Sequence, residues 1–109
     1  MKRYLLEARE GAPSEIILHE AEPSPLAPGE VRVRMEAYSL NYRDLLMQSG
    51  LSASGGSDPV IPLSDGAGVV EEIGESVTAW RIGERVAPTF FRDWESGRFD
   101  MAYHSAARG

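Results

Sequence analysis

Glu30-Val31-Arg32-Val33-Arg34-Met35-Glu36-Ala37-Tyr38 alternates without a break. Val31, Val33, Met35 and Ala37 fall on one face; Arg32, Arg34 and Glu36 fall on the other. A period of two over this length predicts a strand with one face on a core and one in water. Upstream, Glu22-Pro23-Ser24-Pro25-Leu26-Ala27-Pro28-Gly29 holds three prolines, which fix φ and remove amide donors. It predicts a stiff connector. Before it, residues 2–8 and Glu15–Glu20 read as two strands, parted by Gly11-Ala12-Pro13-Ser14.

Downstream, the period changes at Ser39-Leu40-Asn41-Tyr42-Arg43-Asp44-Leu45-Leu46-Met47-Gln48-Ser49-Gly50. Asn41 suits a helix N-cap, Asp44 follows three residues later, and Gly50 suits a stop. Tyr42, Leu45, Leu46 and Ser49 share one side of that short helix. Residues 51–58 read as a flexible loop. Pro59–Leu63 is extended, Ser64-Asp65-Gly66 reads as a turn, and Ala67–Gly74 reads as a strand. Val77–Trp80 follows, then a turn at Arg81–Glu84 and a last strand over Arg85–Phe91. Short strands separated by turn signals predict a mainly β barrel or sandwich with one inserted helix. Residues 92–109 do not share the rhythm.

The chain has 109 residues, enough for one domain with one core. Acidic groups outnumber basic ones by 17 to 11, a balance that argues against a nucleic-acid partner. No cysteine is present, which excludes disulfides, thiolate metal ligands and a cysteine nucleophile. The N-terminus lacks the apolar run of about 7–15 residues of a signal peptide. No run reaches the ~18 residues that suggest a membrane span. A soluble, cytoplasmic protein is the expectation.

Three motifs then stand in order: Ser39-Leu40-Asn41-Tyr42-Arg43-Asp44-Leu45-Leu46, Ile61–Gly74, and Val77 with Trp80-Arg81-Ile82-Gly83-Glu84-Arg85-Val86. Together they resemble the N-terminal, GroES-like domain of the medium-chain dehydrogenase/reductase superfamily. Within it, the chain is similar to zinc-independent quinone oxidoreductases and related alcohol dehydrogenase-like proteins. The resemblance implies a GroES-like, partly open β-barrel with one short helix, incomplete at its C-terminal end. It places the domain at 1–91 and makes 92–109 a connecting segment, truncated before further barrel strands and a Rossmann domain. Gly66-Ala67-Gly68-Val69-Val70-Glu71 is the nearest approach to a dinucleotide fingerprint. It fails, because Glu71 replaces the third glycine and a strand follows in place of a helix.

In zinc-dependent members of that superfamily a cysteine precedes the short helix and a Gly-His-Glu motif follows. Here those positions read Asn41 and Leu63-Ser64-Asp65. Zinc favours thiolate and imidazole ligands, so no metal is expected. His19 and His104 have no ligand spacing and read as surface or packing residues. Without a Lewis acid, the implied chemistry is hydride reduction of quinones, enones or activated carbonyls. The resemblance implies NADPH or NADH in the full-length protein, a small-molecule substrate, and no nucleic acid or membrane partner. A full-length homodimer stays open, and no cofactor is expected to bind this chain alone.

By the same resemblance, Asn41, Tyr42 and Asp44 are the candidate catalytic residues, and Arg43 and Asp65 the candidate cofactor-binding residues. Each has a plainer role beside it. Asn41 either bonds an acceptor oxygen or only caps the helix, with Asp44 closing the cap. Tyr42 either donates a phenolic hydrogen bond or packs its ring. Arg43 either meets a cofactor phosphate or is solvated, and Asp65 either serves the site or forms a turn. Phe90, Phe91 and Trp94 line a pocket or pack a core. The whole reads as the substrate-side part of an oxidoreductase, inactive alone. The alternatives are a stand-alone GroES-like interaction module and a non-functional truncated product.

Overall fold

The computed structural model describes residues 1–9, 11–49, 59–102 and 108. In chain order the elements are β1 (Lys2–Arg9), β2 (Ala12–Glu20), β3 (Val31–Ser39), α1 (Tyr42–Ser49), β4 (Asp65–Ile73) and β5 (Arg85–Val86). β1 and β2 form an antiparallel ribbon, and β3-β4-β5 form a separate three-stranded sheet in that order. Gly11, at φ 67°, supplies the left-handed residue where β1 turns into β2. The architecture is mainly β with one helix and sheets that do not close, as a partly open barrel requires. No helix among the described residues is long and apolar enough to cross a membrane.

The alternating stretch forms β3 as its pattern demands, with Val31, Val33 and Met35 half-buried and Arg34 and Glu36 exposed. Its antiparallel ladder with β4 runs from Val31 opposite Ile73 to Ser39 opposite Asp65. The register shifts between Arg32 and Val33 and again between Met35 and Ala37, so the ladder is bulged twice. Two glycines of β4 allow the close approach. A Cβ on Gly68 would stand 2.3 Å from the Arg34 carbonyl oxygen, and one on Gly66 2.5 Å from Met35 Cε. The proline-rich connector lies against this sheet, because the Arg32 guanidinium binds both Glu72 and the Ser24 carbonyl.

Val70 of β4 is fully buried and Leu6 of β1 nearly so; among the described residues they are the buried apolar core. The segment before β4 is tied to the ribbon at Leu6, whose backbone exchanges hydrogen bonds of 2.8 and 3.1 Å with Val60. Beyond that core, Val31, Val33, Met35, Trp80, Val86 and Pro88 line an open apolar groove.

α1 packs against β2 and carries a half-complete capping box. The Asn41 amide N–H donates to Asp44 Oδ2 at 2.7 Å. The Asn41 carbonyl accepts the Asp44 N–H at 3.0 Å, while the Asn41 side chain turns elsewhere.

Three expectations need correction. The last strand shrinks from Arg85–Phe91 to Arg85–Val86, since Pro88 has no N–H to continue a ladder. Of the turn expected at Ser64-Asp65-Gly66 only Ser64 is a bend, as Asp65 and Gly66 already pair with Ser39 and Tyr38. The inward side of α1 is also different: Arg43, Leu46 and Met47 are half-buried, whereas Tyr42 and Leu45 are 75% and 62% exposed. Those three inner positions have the i, i+3, i+4 spacing of one helical face. The loop expected at 51–58 and His104 lie outside the described residues.

Gly68→Ala is expected to lower unfolding free energy by about 1–3 kcal/mol, the usual cost of overfilling a packed site, read from the urea midpoint. Asp44→Ala is expected to cost about 1 kcal/mol by removing the box at the helix start, read from the same transition.

Candidate functional site

The end of the β3–β4 ladder creates the site. Ser39 and Asp65 are opposite one another, so Asn41, two residues past Ser39, comes within reach of the Asp65 side chain. Asn41 Nδ2 donates to Asp65 Oδ2 at 2.7 Å. Asn41 is therefore held twice, by Asp44 through its backbone and by Asp65 through its amide. An asparagine amide has two N–H donors and a carbonyl oxygen, so one N–H and Oδ1 remain beyond the Asp65 bond. Asp65 serves as a strand residue whose carboxylate orients this amide, which replaces its expected turn role.

Tyr42 follows at the first position of α1 with its side chain largely in water, so ring packing on the barrel is not its role. Arg43 turns the other way. Its guanidinium carbon lies 5.2 Å from the centroid of the Phe90 ring, within cation–π range. Its Nη1 is buried and has no hydrogen-bond acceptor among the described residues. A buried donor without an acceptor is costly and marks a place where an anionic oxygen fits. The solvated arginine on a turn is thus replaced by a half-buried one on a helix.

Under Arg43 lies an aromatic cluster. Phe90 and Phe91 meet edge to face at 4.6 Å, as do Trp94 and Phe99 at 5.2 Å, while Phe91 and Phe99 are tilted at 5.1 Å. The structure brings Asn41, Asp44 and Asp65 into one hydrogen-bonded group. It places Tyr42 beside that group and Arg43 on the opposite side of the helix, with the aromatics. Two features have no sequence signal, the pairing of Arg43 with Phe90 and the backbone of Leu63. Phe90 is 47 residues from Arg43 along the chain. Leu63 has φ 73°, a conformation that leucine does not announce.

The donor set does not fit zinc. At Asn41 and Leu63-Ser64-Asp65 the available groups are an amide, a hydroxyl and a carboxylate, and that amide is already bonded to that carboxylate. Zinc sites use thiolate, imidazole and carboxylate, with three protein ligands as the usual catalytic minimum. No group of three His, Asp or Glu capable of holding a metal occurs among the described residues. A nicotinamide dinucleotide fits better, since its phosphates supply the acceptor that Arg43 Nη1 lacks.

Comparison with known proteins agrees with this architecture. The model of the alcohol dehydrogenase GroES-like domain matches residues 27–107. A zinc-type alcohol dehydrogenase-like protein of Schizosaccharomyces pombe is 46% identical over 88 residues, covering 80% of this chain and 25% of the relative. A quinone oxidoreductase of Pseudomonas aeruginosa is 37% identical over 87 residues, 80% of this chain and 26% of its own length. Among solved structures, Escherichia coli quinone oxidoreductase complexed with NADPH superposes with a TM-score of 0.68 at 27% identity, over 81% of this chain and 26% of that one. The yhdH oxidoreductase of Salmonella enterica, in complex with NADP, gives 0.68 at 30% identity, over 84% and 27%. The chain spans about a quarter of the length of these relatives. It belongs to the alcohol dehydrogenase GroES-like domain family and corresponds to the N-terminal part of the medium-chain dehydrogenase/reductase oxidoreductases.

Proposed function

We propose that this chain is the substrate-side domain of a zinc-independent, NAD(P)H-dependent oxidoreductase acting on quinones, enones or activated carbonyls. The observation that carries it is the Asn41 amide, oriented by Asp65 and anchored by Asp44, with one N–H left to donate. An acceptor oxygen gains negative charge as hydride arrives. A donor already held in place stabilises that charge without reorganising. The nicotinamide cofactor, when bound, supplies the hydride.

The other residues take these roles in this reading. Asn41 donates Nδ2–H to the acceptor oxygen. Tyr42, exposed on the adjacent turn, donates its phenolic hydrogen to the same substrate or delivers the proton. Asp44 keeps Asn41 at the helix start. Arg43 meets a cofactor phosphate with its unpartnered Nη1, and Asp65 retains Oδ1 toward a cofactor amide or hydroxyl. In this account residues 1–91 form the domain, and 92–109 lead toward a nucleotide-binding domain elsewhere in the protein.

In the full-length protein, Asn41→Ala is expected to lower kcat by about 10²–10³-fold, as loss of a comparable oxyanion donor does, with little change in KM. An unchanged kcat overturns the role of Asn41. Calorimetric titration of the 109-residue chain with NADPH is expected to show no micromolar binding; such binding overturns the two-domain account.

A further inference from the structure

We propose that the outer edge of β3 is a docking site for one extended segment of alternating apolar and acidic residues, supplied by the remainder of the same polypeptide. This rests on reading the chain as one domain of a longer oxidoreductase, which its span of about a quarter of its relatives supports. Among the described residues β3 is paired only with β4 and ends its sheet. No other main-chain hydrogen bond among them involves Val31–Ser39. That strand holds neither lysine nor proline, two residues that blunt an exposed edge.

A cleft runs along the edge. One wall is six successive residues, 30–35, and the facing wall holds Met1, Lys2 and residues 23–26. Side chains of a strand alternate between its faces, so a cleft that touches each residue in turn follows the main chain. The facing wall cannot complete the ladder itself. Pro23 and Pro25 stand two apart and remove the N–H donors from one edge of that segment. A second copy's β3 would bring its own copy of that wall into the cleft, whereas a single strand carries nothing beside it.

The alternation of β3 then dictates the occupant's chemistry. It is regular through Met35, because the unpaired residue of one bulge is Glu71 of β4 and that of the other is Glu36, one residue further on. Val31, Val33 and Met35 present a half-buried apolar face, which apolar residues of an added strand extend. On the other face Arg32 is already held by Glu72 and the Ser24 carbonyl. Arg34 meets Glu36 at 3.3 Å yet stays 61% exposed. With Lys2 on the facing wall, it favours carboxylates on that side of the added strand.

Residue-resolved amide hydrogen exchange tests the site. In the full-length protein the β3 amides turned away from β4 are expected to exchange as slowly as those bonded to it, and in the 109-residue chain much faster. Fast exchange there in the full-length protein overturns the proposal. So does slow exchange in the isolated chain that is lost on dilution, which identifies a second copy as the occupant. A short synthetic peptide alternating valine and glutamate is expected to bind the isolated chain and slow those same amides. A copy N-methylated throughout its backbone is expected to do neither. Arg34→Glu is expected to weaken the glutamate peptide about fivefold, as a cross-strand charge pair turned to repulsion does, and to favour a valine–lysine peptide instead. No protection by the glutamate peptide, equal binding of the N-methylated copy, or an unchanged preference in Arg34→Glu overturns the proposal. The full-length protein is expected to leave the peptide unbound; binding as tight as in the isolated chain shows an edge open to a separate protein and overturns the internal occupant. Should the isolated chain or its variant fail to fold, the exchange pattern of the full-length protein decides alone. A full-length protein without NAD(P)H-dependent reduction removes the oxidoreductase reading, and the exchange pattern judges the docking site separately.

Discussion

The close antiparallel pairing of β3 with β4 is the constraint on which the rest depends. It is made possible by Gly66 and Gly68, where any Cβ would strike the facing strand. Each ladder hydrogen bond contributes only about 1 kcal/mol net. Their joint effect is geometric. One end of the ladder seats Val70 in the core, and the other sets Ser39 against Asp65. Core and site are thus two consequences of one register. A slip by one residue would expose Val70 and bury Asp65 together.

At the open end of that ladder, amide and carboxylate groups stand where a zinc site would need thiolate and imidazole. Asn41 is fixed by two carboxylates acting on different atoms, which settles both its backbone and its amide orientation. The helix then divides the surroundings. Successive residues on a helix diverge by about 100°, so Tyr42 enters water while Arg43 turns onto Phe90. An exposed phenol and a half-buried guanidinium are thus placed on opposite sides of one short turn. The aromatic cluster beneath Arg43 is the apolar support that lets it be half-buried at all.

The apolar side of the larger sheet is only partly covered. Val31, Val33 and Met35 remain half-buried along a groove that Trp80 and Val86 also line. Among the described apolar residues only Val70 is fully enclosed and Leu6 nearly so. Small cores of this kind contribute little stability by themselves, which gives the backbone pairing and the Arg32 clamp on the connector a correspondingly larger share.

The sequence by itself determined the strand read over Glu30–Tyr38 and found at Val31–Ser39, the helix start at Asn41 with Asp44 behind it, and the absence of thiolate chemistry. Each is written in adjacent residues: a period of two, a cap spacing of three, a composition without cysteine. It also picked out, by resemblance to a family motif, Asn41, Asp44 and Asp65, which the structure joins in one hydrogen-bonded group. What only the tertiary structure decided was how those residues divide their bonds. Asp65 looked like a turn former because it precedes glycine, but the glycine serves strand approach and the bend falls one residue earlier, at Ser64. Arg43 looked solvated because its partner Phe90 is far along the chain. Local pattern encodes backbone period and capping, which act over a few residues. Side-chain partners across a sheet or beneath a helix depend on register and crossing, and no short stretch of sequence contains those.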